Sequence, residues 1–459
     1  MIPKELTGYR SLFSDYTELR AQENRSTSIA LVNGDVMSND RSAASGVSAR
    51  VYRNGVWGFS SDPIISEERI KAVISSSTRN ARFLDGREKR GHGPLPSRVG
   101  SAVRDFSTLK PRKTQKELID FLREMDSRIS LEYRGIVSRT LVIQLLDMEK
   151  SLLTSDGGSA YTMIPRSILY CTLSMEKDGQ PVELYEIYGG FGQFEDVFTS
   201  PGELSTQLDS LYEQLQRKVE GIYPEAGTRD VILDADLAGI LSHEAVGHTT
   251  EADIVRGGSI AGDYIGREVA SPLVTMVDFA NTALGVPCPV PVFVDDEGTL
   301  AEDARLIEDG VLKCFLHNRE SAAHFRAEPT GNARAFRFSD EPLIRMRNTA
   351  ILPGSSSLDD MISSIDDGYY LMRSSNGQAD STSEFMFGIV QGYEIKGGKL
   401  GRALRDTTIS GVAFDMLKTV SAVSDEMRWT CAGMCGKKQP IPVGMGGPAL
   451  KCRVTIGGK

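Results

Sequence analysis

His243, Glu244 and His248 stand together in one short segment of a chain that contains five histidines. Imidazole nitrogens are good zinc ligands, and a neighbouring carboxylate can take a proton from a metal-bound water. Zinc lowers the pKa of such a water towards ~7, so that hydroxide is available at neutral pH. The pattern predicts a zinc-dependent hydrolase in which metal-bound water is the nucleophile and Glu244 is the general base.

The spacing of the two histidines differs from that of the common zinc-binding helix motif, His-Glu-x-x-His. His243 and His248 are five residues apart, which places them about 140° apart around a regular α-helix. An undistorted helix could not direct both side chains at one ion. We therefore predict a local irregularity between Ala245 and His248, because Gly247 lies where a bulge or an early helix end forms easily.

A catalytic zinc needs three protein ligands and one open position, so a third ligand must come from elsewhere in the chain. The cysteines near the C-terminus lie in a glycine-rich segment that could fold back onto the histidine helix. The residues alone do not decide between the candidates, and two surface histidines at a helix end remain the alternative interpretation of the pair. The candidates are Glu251, Asp253, Cys314, His317, His324, Cys431 and Cys435.

Composition and charge exclude several classes of function. The formal net charge of -10 argues against electrostatic contact with nucleic acid. No stretch approaches the ~18 apolar residues of a membrane span, and the N-terminus lacks the apolar segment of a secretory signal. The six cysteines are scattered over a long chain, which is not a disulfide framework. We expect a cytoplasmic protein with no nucleic-acid partner and no membrane partner.

The surrounding sequence predicts an α+β fold in three regions. Residues 1–113 are expected to form an N-terminal α/β domain, and residues 114–228 a central strand-rich region with flanking helices. Residues 229–459 are expected to form a β-rich, largely antiparallel catalytic domain that carries the metal-site helix. In that domain a short strand at residues 229–233 leads into a helix at residues 236–248.

Local patterns predict individual elements of the first two regions. Residues 16–23 are expected to be helical, and Asn54-Gly55 is typical of a tight β-hairpin turn. Residues 93–113 contain three prolines and are expected to form a linker or long surface loop. Thr114 and Glu117 fit a capping box at the start of a helix over residues 114–129.

Further motifs run in order along nearly the whole chain, before and after the histidine segment. They are Gly46-Val47-Ser48-Ala49-Arg50, Asn54-Gly55-Val56-Trp57-Gly58-Phe59, Asp295-Asp296-Glu297-Gly298, Thr330-Gly331-Asn332-Ala333-Arg334, Arg345-Met346-Arg347-Asn348-Thr349 and Gly433-Met434-Cys435-Gly436-Lys437. With these motifs the sequence resembles the TldD/PmbA peptidases, once described as modulators of DNA gyrase. The His-Glu-x-x-x-His segment resembles that of the TldD type, which is catalytic, whereas the PmbA (TldE) type lacks it.

The resemblance implies a site and a setting for it. Cys435 would be the third zinc ligand beside His243 and His248, whereas Cys431 would be a packed thiol. The chain would form a homodimer, or a heterodimer with a PmbA (TldE)-type subunit, around a cavity that admits short or unfolded peptides. Thr249-Thr250 departs from the Gly-Leu of many relatives. A non-catalytic regulatory or binding subunit, with a structural or absent metal, is the alternative function.

Overall fold

The computed structural model describes residues 2–457, in which long antiparallel strands are combined with mostly short helices. The helices are α1 (Glu67–Glu88), α2 (Gln115–Glu132), α3 (Phe194–Val197), α4 (Ser205–Val219), α5 (Ala235–Leu241), α6 (Ala252–Arg256), α7 (Arg319–Phe325), α8 (Leu358–Ser363) and α9 (Ala413–Lys418). Within residues 2–457, no helix has both the length and the apolar character needed to cross a lipid bilayer.

The strands of the N-terminal half are β1 (Tyr16–Val32), β2 (Asp35–Arg53), β3 (Val56–Asp62), β4 (Ser101–Asp105), β5 (Ser138–Thr154), β6 (Ser159–Lys177) and β7 (Gln180–Phe191). Those of the C-terminal half are β8 (Gly227–Leu233), β9 (Met276–Phe279), β10 (Thr282–Ala283), β11 (Val286–Pro287), β12 (Ala304–Glu308), β13 (Val311–Leu312), β14 (Ala333–Arg334), β15 (Leu343–Ile344), β16 (Asn348–Ile351), β17 (Asp367–Ala379), β18 (Glu384–Lys396), β19 (Lys399–Ala403), β20 (Thr407–Val412), β21 (Ala422–Val423), β22 (Arg428–Thr430), β23 (Met434–Cys435), β24 (Ile441–Pro442), β25 (Gly444–Gly447) and β26 (Leu450–Ile456). The predicted α+β fold class is confirmed.

Strands β1 to β7 form one sheet in the order β3-β2-β1-β5-β6-β4, with β7 also paired to β6. The predicted hairpin between β2 and β3 is confirmed, with Asn54 at φ 49° and Gly55 at φ 99°. The predicted capping box is confirmed as well, because Thr114 and Glu117 cap α2 reciprocally. This sheet combines strands from the first two predicted regions. The division into three domains stays a prediction, and residues 1 and 458–459 at its outer limits lie outside the described residues.

The prediction of a helix at residues 16–23 is wrong, because these residues begin β1 and pair with both β2 and β5. Residues 17–22 are buried on both faces of the strand, so the polar face formed by Glu18, Arg20 and Gln22 lies against protein and not solvent. Glu18 accepts from Arg50 Nε at 2.8 Å, and Arg20 donates to the carbonyl oxygen of Asp340 at 2.6 Å. Charged residues with buried partners on one face made the strand resemble an amphipathic helix.

The prediction of a linker or long surface loop at residues 93–113 is only partly correct. Residues Ser101–Asp105 form β4, which pairs in parallel with β6 at the edge of the first sheet. The side chains of this strand are largely exposed, so its sequence lacks a buried apolar pattern. Backbone pairing with β6 holds β4 in place, and its side chains show no pattern that would predict a strand.

Two further sheets build the region that carries the histidine segment. One has the order β13-β12-β9-β16-β25-β22. In the other, the strands pair in the order β17-β8-β26-β20-β18. Strand β18 also pairs with β17, so the sheet closes on itself. Apolar side chains of β8, β17, β18, β20 and β26 share one core cluster with α5. The histidine helix is therefore anchored in the largest apolar core of the described chain.

Candidate metal centre

Helix α5 begins directly after β8, and its position is fixed by a cap at its start and by close packing at its middle. The side chain of Asp234 accepts from Leu237 N at 2.9 Å and caps the start of the helix. Gly239 lies against β25 so closely that a Cβ at this position would be 2.9 Å from Gly446 N. The capped and closely packed helix directs its C-terminal end, with the histidines, away from β8.

The helix changes its winding where the histidines occur. Residues Ser242–Gly247 form a π-helical turn, in which His248 N donates to the carbonyl oxygen of His243. A hydrogen bond between residues five apart adds one residue to the turn and brings those residues onto one face. The rings of His243 and His248 have centroids 5.0 Å apart. The predicted irregularity between Ala245 and His248 is confirmed, and it resolves the five-residue spacing.

Gly247 fits this turn because it has no side chain, which leaves room for the close packing of Met346. Its φ is -57°, an ordinary right-handed value that any residue adopts. A Cβ at this position would lie 2.0 Å from Met346 Sδ and 3.0 Å from the carbonyl oxygen of Ser242. Met346 is fully buried, so the methionine has little room to move.

We expect Gly247→Ala to lower the free energy of unfolding by about 1–3 kcal/mol, because the added methyl group overpacks the site against Met346. Denaturant unfolding of metal-free wild type and variant measures the difference. Gly86→Ala in α1 is the matched control, since a Cβ there meets nothing within 4 Å. A Gly247→Ala protein as stable as wild type would show that the Met346 side chain yields.

Three hydroxyl groups donate to backbone carbonyl oxygens at the end of the π-helical turn. Thr249 Oγ1 donates to Val246 O and Thr250 Oγ1 to Gly247 O, both at 2.8 Å. Ser383, at the tip of the β17–β18 hairpin, donates to Ala245 O at 3.1 Å. The Thr249-Thr250 pair, which the sequence left without a role, thus closes the π-helical turn.

Cys435 reaches the histidines from a distant part of the chain. It lies in β23, which pairs with β24, and its side chain is buried. Cys435 Sγ is 3.2 Å from His248 Nε2, and the donor atoms of His243, His248 and Cys435 all lie within 4.8 Å of one another. Within residues 2–457, these three form the only group of histidine, cysteine and acidic side chains close enough to share a metal ion.

The other candidates for a third ligand have different partners, and none of them joins the group formed within residues 2–457. Glu251 accepts from His248 Nδ1 at 2.8 Å, and Asp253 pairs with Lys437. His317 packs before α7, where burial lowers its pKa to about 4. Cys314 Sγ donates to the carbonyl oxygen of Arg305, and Cys431 Sγ donates to that of Trp429. His324 is exposed on α7.

Buried arginines hold the loop that carries Cys435, residues 431–442, by its backbone carbonyl oxygens. Arg345 donates to the carbonyls of Cys435, Lys437 and Gln439 at 2.6–3.0 Å. Arg166 donates to those of Cys431 and Gly433, and Arg334 to that of Pro442. These roles were not predicted from the sequence, in which the only signal is the place of Arg334 and Arg345 in two of the motifs that resemble the TldD/PmbA peptidases.

The donor groups change one another's protonation. Burial raises the pKa of the Cys435 thiol, but the adjacent imidazoles of His243 and His248 outweigh burial and lower that pKa to about 3. Burial lowers the pKa of His248, but Cys435 and Glu251 outweigh it and raise that pKa to about 10. Burial alone dominates at Cys431 and raises the pKa of its thiol. Cys435 is therefore the thiolate, the form in which cysteine binds a metal.

The donor set fits a metal ion in a further respect. His243 is buried, and neither of its ring nitrogens has a hydrogen-bond partner among the described residues. Leaving a buried nitrogen without a partner costs free energy, which a bound cation would offset. Two imidazoles and one thiolate are a ligand set that suits zinc.

Glu244 lies beside this group on its accessible side. Its side chain is 30% exposed, and its Oε2 is 3.9 Å from His248 Nε2. The carboxylate is thus close to the donors and open to solvent, whereas Ala245 and Val246 point into the core. The structure thus brings together His243, Glu244, His248 and Cys435, the predicted site residues.

Comparison with known proteins finds relatives over nearly the whole chain. Residues 226–458 match the C-terminal domain of the PmbA/TldA metallopeptidases, and residues 17–81 match domain 1 of the same proteins. A metalloprotease of Methanothermobacter thermautotrophicus is 32% identical over 456 residues, which cover 97% of this chain and 96% of the relative. The chain belongs to the TldD/PmbA family of metallopeptidases.

Other TldD/PmbA relatives match over similar lengths. The zinc metalloprotease TldD homolog of Saccharolobus solfataricus is 29% identical over 421 residues, 90% of each chain. The fold is similar to that of TldE from Thermococcus kodakarensis, with a TM-score of 0.77, 16% identity and 98% of each chain covered. It is also similar to a putative modulator of DNA gyrase from Thermotoga maritima, with a TM-score of 0.77, 19% identity and 96% of each chain covered. The TldD/PmbA resemblance of the sequence motifs is confirmed.

Proposed function

We propose that the chain is a zinc-dependent peptidase that hydrolyses short or unfolded peptides. The observation that carries the proposal is the convergence of the donor atoms of His243, His248 and Cys435 within 4.8 Å. These atoms come from a π-helical turn and from a loop almost two hundred residues further along the chain. A thiolate and two imidazoles that meet beside an accessible carboxylate are suited to metal-assisted hydrolysis.

Each residue has a separate role in the proposed reaction. His243, His248 and Cys435 hold the zinc, which when bound supplies a Lewis acid that polarises the peptide carbonyl and acidifies water. Glu244 accepts a proton from the attacking water as the new carbon–oxygen bond forms. The same carboxyl group returns that proton to the amine as the carbon–nitrogen bond breaks, which leaves Glu244 ionised for the next cycle.

The number of ligands favours catalysis over a structural role for the metal. Structural zinc sites close with four protein ligands, whereas catalytic sites keep one position open. Across the part of the chain that the structure describes, no fourth histidine, cysteine or carboxylate joins the three donors. The observed donor set therefore supports an enzyme and not a regulatory subunit.

The choice of zinc and of a partner draws on the relatives. One metalloprotease of this family, from Saccharolobus solfataricus, is named a zinc metalloprotease, and the donor set suits the same metal here. The similar fold of TldE supports a complex of related subunits. We propose that the chain works as a dimer, either with a second copy of itself or with a PmbA (TldE)-type subunit.

Removal and return of zinc tests the activity. We expect cleavage of an unstructured peptide to stop when the metal is chelated and to recover when zinc is added, because the ligands then regain the Lewis acid. Release of new amino termini measures cleavage. Magnesium is the control, since it prefers oxygen ligands and should not restore activity. Undiminished cleavage by the chelated protein would refute the zinc-dependent mechanism.

A further inference from the structure

Glu251 is a fully buried carboxylate that contacts a proposed metal ligand from behind. Its Oε2 lies 2.8 Å from His248 Nδ1, the ring nitrogen that points away from Cys435. A carboxylate oxygen accepts hydrogen bonds, so Nδ1–H is the donor in this contact. The other ring nitrogen, Nε2, is the atom 3.2 Å from Cys435 Sγ, so the two nitrogens of His248 face the two different partners.

Lys437 approaches the same carboxylate from the loop that carries Cys435. Its Nζ is 3.1 Å from Glu251 Oε2, and only 13% of its side chain is exposed. The backbone carbonyl of Lys437 is held in turn by Arg345. The lysine follows Cys435 by two residues, so one side chain connects the thiolate loop to the acid behind His248.

Backbone hydrogen bonds also hold Glu251 in place, so its carboxylate has a fixed position relative to His248. Glu251 forms a β-bridge with Leu316. Ala252 N donates to the carbonyl oxygen of Leu316, and Leu316 N donates to that of Thr250. A buried carboxylate is costly unless a cation and hydrogen-bond donors satisfy it. Lys437 supplies the cation and His248 supplies a donor, both at Oε2, whereas Oε1 has no hydrogen-bond partner among the described residues.

We propose that Glu251 and Lys437 are positioning residues, which fix the orientation of His248 and tie it to the Cys435 loop so that both ligands are aligned before metal binds. The inference rests on the proposed zinc site and adds two residues that do not touch the metal. Hydrogen-bond partners behind a histidine ligand orient its ring, and their replacement commonly lowers metal affinity about 10- to 100-fold.

Zinc affinity, measured by competition with a chelating dye, tests this role without an activity assay. We expect Glu251→Gln to weaken zinc binding about 10- to 100-fold, and Lys437→Met to weaken it less, in the same direction. Lys437→Arg keeps the cation and should retain most of the affinity. Asp253→Asn is the matched control, because Asp253 also pairs with Lys437 but does not contact His248.

The outcomes separate this inference from the proposed function. Wild-type protein that binds no zinc would refute the zinc site itself. Tight zinc binding by wild type and equally tight binding by folded Glu251→Gln would overturn the positioning role alone. Asp253→Asn that weakens zinc as much as Glu251→Gln would also overturn it. If a thermal unfolding control shows that Glu251→Gln does not fold, Lys437→Met tests the proposal instead. A zinc affinity of Lys437→Met equal to that of wild type would then overturn it.

Discussion

Glu244→Gln is expected to lower the rate of peptide cleavage by about 10²–10⁴-fold, the range typical of a lost general base. The amide cannot accept the proton of the attacking water, and it cannot return one to the leaving amine. The substitution preserves the size of a side chain that is 30% exposed, so the fold should not change. Because Glu244 is not one of the three grouped donors, zinc content should remain that of wild type.

The comparison needs cleavage rate and zinc content from the same preparations. Glu68→Gln, an exposed glutamate in the first turn of α1, is the control and should cleave like wild type. A Glu244→Gln protein that keeps both its zinc and its full activity would contradict the assignment of the general base. Loss of zinc together with activity would instead make Glu244 part of the metal site.

Cys435→Ala is expected to lose most of its bound zinc, whereas Cys431→Ala should keep it. The first substitution removes the only sulfur among the three grouped donors. The second removes a thiol that donates a long hydrogen bond to the carbonyl oxygen of Trp429, at 3.8 Å. Both cysteines lie in the same loop, so the pair controls for general disturbance of that segment.

Metal analysis after dialysis against a weak chelator measures the effect, and peptide cleavage should fall in parallel with zinc. Thermal unfolding of the metal-free variants checks that both are folded. The reverse result, with zinc lost in Cys431→Ala and kept in Cys435→Ala, would move the third ligand to Cys431. Equal retention by both variants would exclude a thiolate ligand.

The sequence was most informative where a spacing conflicted with regular geometry. Histidines five apart cannot share a face of an α-helix, so a shared ion required an irregular turn, and the structure has a π-helical turn at Ser242–Gly247. The expected reason was the flexibility of Gly247, whereas the structure shows close packing on Met346. The local irregularity was predictable, but Met346, which leaves no room for a side chain at position 247, lies about a hundred residues further along the chain.

The third donor shows the limit of reasoning from residue types. Several histidines, cysteines and acids were equivalent candidates, and only the family resemblance indicated Cys435. The structure explains the choice through contacts that no local pattern encodes, since buried arginines hold the carbonyls of the Cys435 loop. Glu251, a candidate ligand in the sequence, instead lies behind His248.

Strand β1 shows a similar limit for the fold. Its charged residues find buried partners on one face, among them the carbonyl oxygen of Asp340, more than three hundred residues away. Without those partners, charges in the sequence indicate an exposed face. The hairpin turn at Asn54-Gly55 and the capped helix α2 follow local rules, and their prediction was correct.

X-ray absorption at the zinc edge of the loaded protein tests the central claim most directly, namely that two histidines and one cysteine hold the metal. We predict a single sulfur at about 2.3 Å and two imidazole nitrogens at about 2.0–2.1 Å, with the remaining coordination from a light atom. A zinc environment with no sulfur, or with two or more sulfurs, would contradict the site formed by His243, His248 and Cys435.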